Sequence, residues 1–204
     1  MDIVRLKNAV TDRDHALGPS DAPVTLIEYG NFECIHCRAA YPLIKEVQKV
    51  LRENLRFVFR HFPTVKTHPH SLRAAEASEA AAAQGKFWEM HDQMFTHQQV
   101  LDDTQLLRCA KRIGLDMERF SREMSENTFL NLIEADYQRS IFDEHVTGTP
   151  TFYINAARYT GATNVKELLE AIKAADTEDQ IRLPATTRGL RGLLARMRKR
   201  SNGL

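Results

Sequence analysis

Two of the three cysteines in this chain, Cys34 and Cys37, are separated only by Ile35 and His36. Two thiols at this spacing can form a reversible disulfide, and the same pair can also supply half of a zinc site. A zinc site needs four ligands, and the third cysteine, Cys109, has no paired partner, so the sequence favours thiol–disulfide exchange. Zinc binding by the pair with histidines, and an inert structural pair, stay open as alternatives. The histidines available for such a site are His61, His68, His70 and His91.

The cysteine pair lies where a predicted strand gives way to a predicted helix. Residues 24–29 are rich in β-branched and aromatic side chains, and apolar residues recur at helical spacing from Cys34 to about Glu53. Free backbone N–H groups at a helix start stabilise a thiolate, so we expect the pKa of Cys34 to lie below that of a free thiol. Protonated His36 would add to this effect. We predict Cys34 as the nucleophile and Cys37 as the resolving thiol.

Two further features of the sequence fit this chemistry. Glu28 stands in the apolar strand before Cys34, and burial there would raise its carboxyl pKa and make it a proton relay for Cys37. A strand position that faces solvent is the alternative for Glu28. Pro150 follows Thr149 directly before a third predicted strand, a position where a cis peptide bond is one of two possibilities.

The order of predicted elements indicates an α/β sandwich with an insertion. A second strand over 55–62 should run parallel to the first after a right-handed crossover. Strands over 151–155 and 158–159 should form a hairpin, followed by a last helix over 165–174. Residues 1–22 are expected to be an approach segment that leads into the first strand, with turn-forming residues from Gly18 to Pro23. The middle is predicted to be helical, with helices over roughly 74–83, 87–96, 102–113, 116–125 and 128–145.

Composition sets broad limits on the class of protein. The 204 residues suggest one full-size domain or a small domain with a large insertion. With 43% hydrophobic and 27% charged residues, the chain has the composition of a soluble globular protein, and three cysteines are too few for a disulfide scaffold. The net charge of +1 argues against a nucleic-acid-binding domain, so no specific nucleic acid is expected as a partner.

The two ends of the chain carry separate signals. The first residues lack the apolar run of a signal peptide, so we expect a cytoplasmic location, or an exported one if a leader has been removed. Residues 188–204 hold six basic residues and no acidic one. Apolar residues recur there at helical spacing, which predicts a basic amphipathic helix that could make weak contact with a membrane surface, RNA or an acidic partner. A helix packed on the body, or a frayed terminus, is the alternative.

Several separated motifs resemble the DsbA-like thioredoxin-fold oxidoreductases. The resemblance spans about residues 16–175 and depends on five runs of sequence, at 29–37, 60–63, 68–70, 85–92 and 148–155. It implies a thioredoxin fold with an inserted α-helical domain. The implied thioredoxin-fold domain is discontinuous and covers 16–63 and 147–175, the inserted helical domain covers 64–146, and the basic tail covers 176–204.

The resemblance also implies roles for matching residues. Cys34 would be the exposed attacking cysteine and Cys37 its buried partner, and Ile35 and His36 would tune the redox potential. Pro150 would be a cis-proline facing the disulfide, Thr149 would offer its backbone to an extended substrate peptide, and Glu28 would be the buried acid. The Cys34–Cys37 disulfide would be the only redox group, without a metal or other cofactor.

The implied partners are protein or peptide thiols and disulfides, and a thiol or protein that recycles the centre. A redox-inactive peptide-binding or metal-binding module on the same fold is the alternative. Two departures from the family pattern stand out. Ile35 replaces the proline of strongly oxidising members, and Asn155-Ala156 replaces a common Asn-Gly hairpin. Because alanine tolerates positive φ poorly, a different turn type is expected there. The direction of exchange stays open.

Overall fold

A computed structural model describes residues 4–97 and 101–177 of the chain. The strands in these residues are β1 (His15–Leu17), β2 (Val24–Gly30), β3 (Leu55–His61), β4 (Thr151–Ile154) and β5 (Ala157–Tyr159). The helices are α1 (Ile35–Leu51), α2 (Ser71–Ala82), α3 (Phe87–Thr96), α4 (Asp103–Arg112), α5 (Met117–Ser125), α6 (Leu130–Phe142) and α7 (Val165–Ala175), with a short 3₁₀ turn at Arg52–Asn54.

The strands form one mixed sheet in the order β1-β3-β2-β4-β5. β2 pairs with β3 in parallel, which confirms the predicted strand–helix–strand unit, and β4 pairs antiparallel with both β2 and β5. The prediction for residues 1–22 is wrong in one respect, because β1 pairs antiparallel with β3 and closes that edge of the sheet. A strand of three residues is too short to show a period in the sequence, and it exists because β3 offers it a pairing edge.

Side chains of β2 alternate between the two faces of the sheet, and each face has its own core. Leu26 belongs to the larger core, which joins the sheet to α1, α7 and the helices of the middle region. Ile27 and Tyr29 belong to a smaller core that α6 helps to cover. By this two-residue period Glu28 lies on the face of Leu26, among apolar side chains.

The helices α2 to α6 lie between β3 and β4, within the range assigned to the insertion. Asp102 and Asp116 cap α4 and α5 by accepting hydrogen bonds from backbone N–H groups three residues later. The division into a thioredoxin-fold domain and an inserted domain stays a prediction. No helix within 4–97 and 101–177 is long and apolar enough to span a membrane. The predicted basic helix of residues 188–204 lies outside the described residues.

The hairpin between β4 and β5 corrects the expected turn. Asn155 and Ala156 form a two-residue loop with φ of 44° and 66°, so both occupy the left-handed region that Asn-Gly hairpins use. The expectation of a different turn type is therefore wrong. Tertiary contacts impose the geometry on the alanine: Asn155 Oδ1 accepts from the Thr25 N–H at 2.8 Å, and the Ala156 carbonyl accepts from the Leu6 N–H at 2.7 Å.

Candidate active site

Cys34 and Cys37 stand at the start of α1, as the sequence predicts. Cys34 immediately precedes the helix, and Cys37 lies in its first turn. Both are free thiols, so the structure represents the reduced form. The resemblance implied an exposed Cys34, and this is wrong: the residue is only 4% exposed, and its Sγ lies 3.3 Å from the carbonyl oxygen of Thr149. Cys37 is fully buried.

The environment lowers the pKa of Cys34 to about 4. A hydrogen bond with the Cys37 thiol makes the largest contribution to this lower pKa, and burial opposes it. A hydrogen bond with the Thr149 side chain and the backbone N–H groups of Cys37 and His36 lower the pKa further. The direction is the one expected for a thiol at a helix start. The His36 side chain is exposed, and the backbone N–H of this residue is one of the groups that lower the pKa of Cys34.

The environment of Cys37 has the opposite effect on its pKa. Burial raises the pKa well above that of a free thiol, and the hydrogen bond to Cys34 and the charge of Glu28 raise it further. One sulfur of the pair is therefore a thiolate near neutral pH, and the other is a thiol that donates to it. Thiol–disulfide exchange uses such a pair, in which one sulfur attacks as a thiolate and the other later resolves the mixed disulfide.

Glu28 is 2% exposed and lies beside Cys37, and the solvent-facing alternative is thus wrong. Burial raises the pKa of this carboxyl to about 8, although a hydrogen bond with Cys37 lowers it. Gly30 leaves space for the side chains of Phe59 and Glu28, a role that the sequence did not indicate. A Cβ at Gly30 would lie 2.2 Å from a ring carbon of Phe59 and 3.3 Å from Glu28 Oε1.

The loop before β4 covers the cysteine pair from the other side. The peptide bond between Thr149 and Pro150 is cis, and the Thr151 hydroxyl donates to the Gly148 carbonyl at 2.7 Å, which ties the loop to the strand. Pro150 and His36 line a shallow recess together with Ala39. Ile35 is 70% exposed, so its side chain has no place in the core.

A groove of about 990 Å³ begins at Cys34 and runs between the loop after β3 and helix α6. Its apolar lining includes Val65, Leu72 and Tyr137, and Thr149 forms part of its wall. No local pattern in the sequence predicts this groove, because its walls come from segments about 70 residues apart in the chain. An extended peptide that lies in it would pass directly over Cys34.

The turn that carries the cysteines is tied to the start of α2. Glu33 accepts hydrogen bonds from the His70 N–H at 2.7 Å and interacts with His70 Nδ1 at 3.3 Å. Asn31 donates through Nδ2 to the Thr64 hydroxyl at 3.0 Å. Beyond the polar types of Asn31 and Glu33, no pattern in the sequence indicates these contacts. They fix the position of the helix start at which Cys34 sits.

Within residues 4–97 and 101–177, Cys34 and Cys37 belong to no group of three or more side chains that could hold a metal ion. Among the described residues one group of three could hold a metal ion, His15, His61 and Glu79, and it contains neither cysteine. These side chains already pair with one another, since Glu79 Oε1 lies 2.7 Å from His15 Nε2 and 2.8 Å from His61 Nε2. Although burial opposes it, these hydrogen bonds lower the pKa of Glu79 to about 2.

Cys109 lies on α4 and is fully buried, as expected for a small apolar side chain. Burial raises the pKa of its thiol. The other histidines considered as ligands have other partners: His68 lies within hydrogen-bond distance of the Thr64 and Thr67 hydroxyls, and His91 of Asp92.

The fold and the cysteine pair together define a thioredoxin-fold protein that carries two cysteines, separated by two residues, at the start of α1 and has the helices α2 to α6 between β3 and β4. The thioredoxin family model matches residues 10–174, and the chain belongs to this family.

Solved structures support the assignment. A thioredoxin-like oxidoreductase from Silicibacter pomeroyi matches with a TM-score of 0.72 and 27% identity, over 81% of this chain and 93% of that one. Two other solved structures share the fold. BdbD from Bacillus subtilis matches with a TM-score of 0.75 and 24% identity, over 86% of this chain and 99% of that one. Alpha-DsbA1 from Wolbachia pipientis matches with a TM-score of 0.73 and 22% identity, over 83% of this chain and 94% of that one.

The curated relatives carry a different kind of name. The chain is 42% identical over 171 residues to a Na(+)/H(+) antiporter NhaA 3 of Salinispora tropica. The matched region covers 84% of this chain and 26% of that protein. The chain is 36% identical over 162 residues to a Na(+)/H(+) antiporter NhaA of Herminiimonas arsenicoxydans, with 79% and 25% covered. The chain thus spans about a quarter of the length of these relatives, and the antiporter name describes those longer proteins.

Proposed function

We propose that the turn Cys34-Ile35-His36-Cys37 is a redox centre that exchanges disulfides with protein or peptide thiols. The observation that carries this proposal is the asymmetry of the pair: the pKa of Cys34 is lowered to about 4 at the mouth of a groove, and that of buried Cys37 is raised. Cys34 acts as the nucleophile and Cys37 as the resolving thiol.

In the reducing direction, the Cys34 thiolate attacks one sulfur of a substrate disulfide. The substrate S–S bond breaks, a mixed disulfide with Cys34 forms, and the released substrate sulfur takes up a proton from solvent. Glu28 must first lose its own proton; Cys37 then passes its proton to the ionised Glu28 carboxylate and attacks the Cys34 sulfur. The Cys34–Cys37 disulfide forms, and the second substrate sulfur leaves as a thiolate. The oxidation of a substrate dithiol runs through the same steps in reverse.

The substrate class we propose is an extended peptide segment that carries the reacting sulfur. The backbone of Thr149 lies beside Cys34 Sγ and can pair with such a segment as an additional strand. The apolar wall around Val65 and Tyr137 supplies contact area that a small thiol such as glutathione does not need. A second thiol or protein of unspecified identity recycles the centre.

A stabilised thiolate favours the reduced form of the pair, so we propose a reduction potential above the value of about −270 mV typical of thioredoxin. Equilibration of the Cys34–Cys37 couple with glutathione buffers measures this potential. A value at or below that of thioredoxin would contradict the proposal that the low pKa of Cys34 sets the redox direction.

The exchange activity itself is tested with the reduction of insulin and with the ultraviolet absorbance of the thiolate. We expect wild-type protein to reduce insulin, Cys34→Ser to lose this activity, and thiolate absorbance to titrate with a midpoint of about pH 4. Cys109→Ser serves as the matched control because Cys109 is buried on α4 and does not belong to the turn that carries the pair. A midpoint at or above that of a free thiol, with full activity in Cys34→Ser, would refute the proposal.

A further inference from the structure

A histidine of the helical region lies against the side of the active site that carries Glu28. His91 on α3 is 3% exposed, and its ring packs edge-on against Phe59 with 4.9 Å between ring centroids. Phe59 is the residue directly opposite Glu28 in the pairing of β2 with β3. The two ionisable side chains therefore reach the same part of the core from different elements.

Glu28 and His91 line one narrow cavity. The volume open to the centre of a water molecule is about 10 Å³, which corresponds to about one water. Glu28 Oε1 and His91 Nε2 are both buried, and neither has a hydrogen-bond partner among the described residues. Buried polar atoms in proteins almost always find a partner, and a shared internal water is the usual one when no side chain is in reach.

The contacts at Nδ1 of His91 fix which of the two ring nitrogens carries the proton. Nδ1 lies 3.0 Å from Asp92 Oδ1, and Lys45 Nζ donates to Asp92 Oδ2 at 2.6 Å. Because an ion-paired carboxylate only accepts hydrogen bonds, Nδ1 carries the ring proton and Nε2 presents its lone pair to the cavity. The side chains of Asp92 and Lys45 are more than one-third exposed, so this series of contacts ends at solvent.

We propose that a water molecule in this cavity bridges Glu28 Oε1 and His91 Nε2, and that His91 carries protons between Glu28 and the surface at Asp92. The inference rests on the proposed disulfide exchange, in which Glu28 receives the proton of Cys37. The carboxyl of Glu28 gives this proton to the water while the water gives a proton to Nε2, and the imidazolium releases its Nδ1 proton to solvent beside Asp92. When the Cys34–Cys37 disulfide is reduced again, a proton travels inward along the same atoms and restores the starting tautomer.

The ionisable groups around His91 support a neutral ring that protonates transiently. Burial is the main cause that lowers the pKa of His91, and Asp92 opposes it. Positive charge on Lys45 or His61 also lowers this pKa. The groups that face His91 are Glu28 from β2, His61 from β3, Tyr41 and Lys45 from α1, and Asp92 from α3 itself.

Stopped-flow reaction of the reduced protein with dithiobis(nitrobenzoate) separates the two chemical steps. The first nitrothiobenzoate is released when Cys34 attacks, and the second when Cys37 resolves the mixed disulfide. In His91→Gln, which keeps a polar group at the cavity but cannot take up a proton, we expect an unchanged first phase. We expect the second phase to be about tenfold slower below about pH 8. Above that pH the two proteins should converge, because Glu28 is then already ionised.

Phe95→Leu is the matched control, since Phe95 lines the same cavity and carries no ionisable group. It should leave the pH profile of the second phase unchanged. A second phase in His91→Gln that equals wild type at every pH, or that is slowed by the same factor at every pH, would overturn the proton path. A wild-type protein that releases no nitrothiobenzoate from Cys34 would instead refute the proposed disulfide exchange.

Discussion

The buried carboxyl of Glu28 makes the stability of the reduced protein depend on pH in a way that one substitution removes. Burial raises its pKa from 4.5 to about 8, so the folded protein holds this proton near neutral pH and the unfolded chain does not. A carboxyl whose pKa is raised on folding contributes its full stabilisation at pH values below its pKa in the unfolded chain. This contribution is lost as the pH rises through its pKa in the folded protein. Between about pH 4.5 and about pH 7 the loss amounts to about 3 kcal/mol, at about 1.4 kcal/mol per pH unit.

Glu28→Gln removes this ionisation and keeps the shape of the side chain. Burying the amide carries its own cost, but that cost is the same at every pH and cancels in a comparison of two pH values. Urea denaturation of wild type and variant in the presence of a reductant, at about pH 4.5 and about pH 7, measures the effect. We expect the free energy of unfolding of Glu28→Gln relative to wild type to rise by about 3 kcal/mol from the acidic to the neutral condition. A difference that stays constant would mean that Glu28 is ionised in the folded protein, and the reasoning about its burial would be refuted.

Four further substitutions test the hairpin, the packing beside the site and the role of Cys109. Ala156→Gly should raise the free energy of unfolding by about 0.5–1 kcal/mol, because φ at this position is 66° and glycine adopts it without a Cβ penalty; an unchanged melting temperature would contradict this. Gly30→Ala should destabilise the fold by about 1–3 kcal/mol, because its Cβ would lie 2.2 Å from the Phe59 ring, whereas Gly148→Ala, with open space around it, should be nearly neutral in the same denaturation experiment. Cys109→Ala should keep the full rate of insulin reduction, since the thiol is buried on α4, and a reduced rate would assign Cys109 a redox role.

The site was predictable from the sequence where chemistry depends on neighbours along the chain. Cys34 and Cys37 are held by one helix start, so their spacing and the strand before them were enough to expect an acidic Cys34 and a resolving Cys37. That burial raises the pKa of the Glu28 carboxyl also followed from the place of this residue in an apolar strand. The identity of the groups that lower the pKa of Cys34 did not follow, because Thr149 comes from a loop 115 residues away.

The elements that the sequence analysis missed depend on contacts between distant segments. The strand β1 is too short to have a period of its own and exists through its pairing with β3. The left-handed conformation of Ala156 runs against the preference of alanine, and hydrogen bonds with distant backbone groups impose it. The conformational preferences of single residues amount to a few tenths of a kcal/mol to about one kcal/mol, and tertiary contacts of this kind override them.

By itself, the sequence determined the order of the elements from β2 onward and the position of the paired cysteines, because both arise from side-chain periodicity and from neighbours along the chain. Only the tertiary structure decided that Cys34 lies under Thr149 and that a groove begins there. It also decided that His91 shares a cavity with Glu28, 63 residues earlier in the chain. Which distant residues meet depends on how the helices of the middle region pack against the sheet, and no local pattern of residues records that packing.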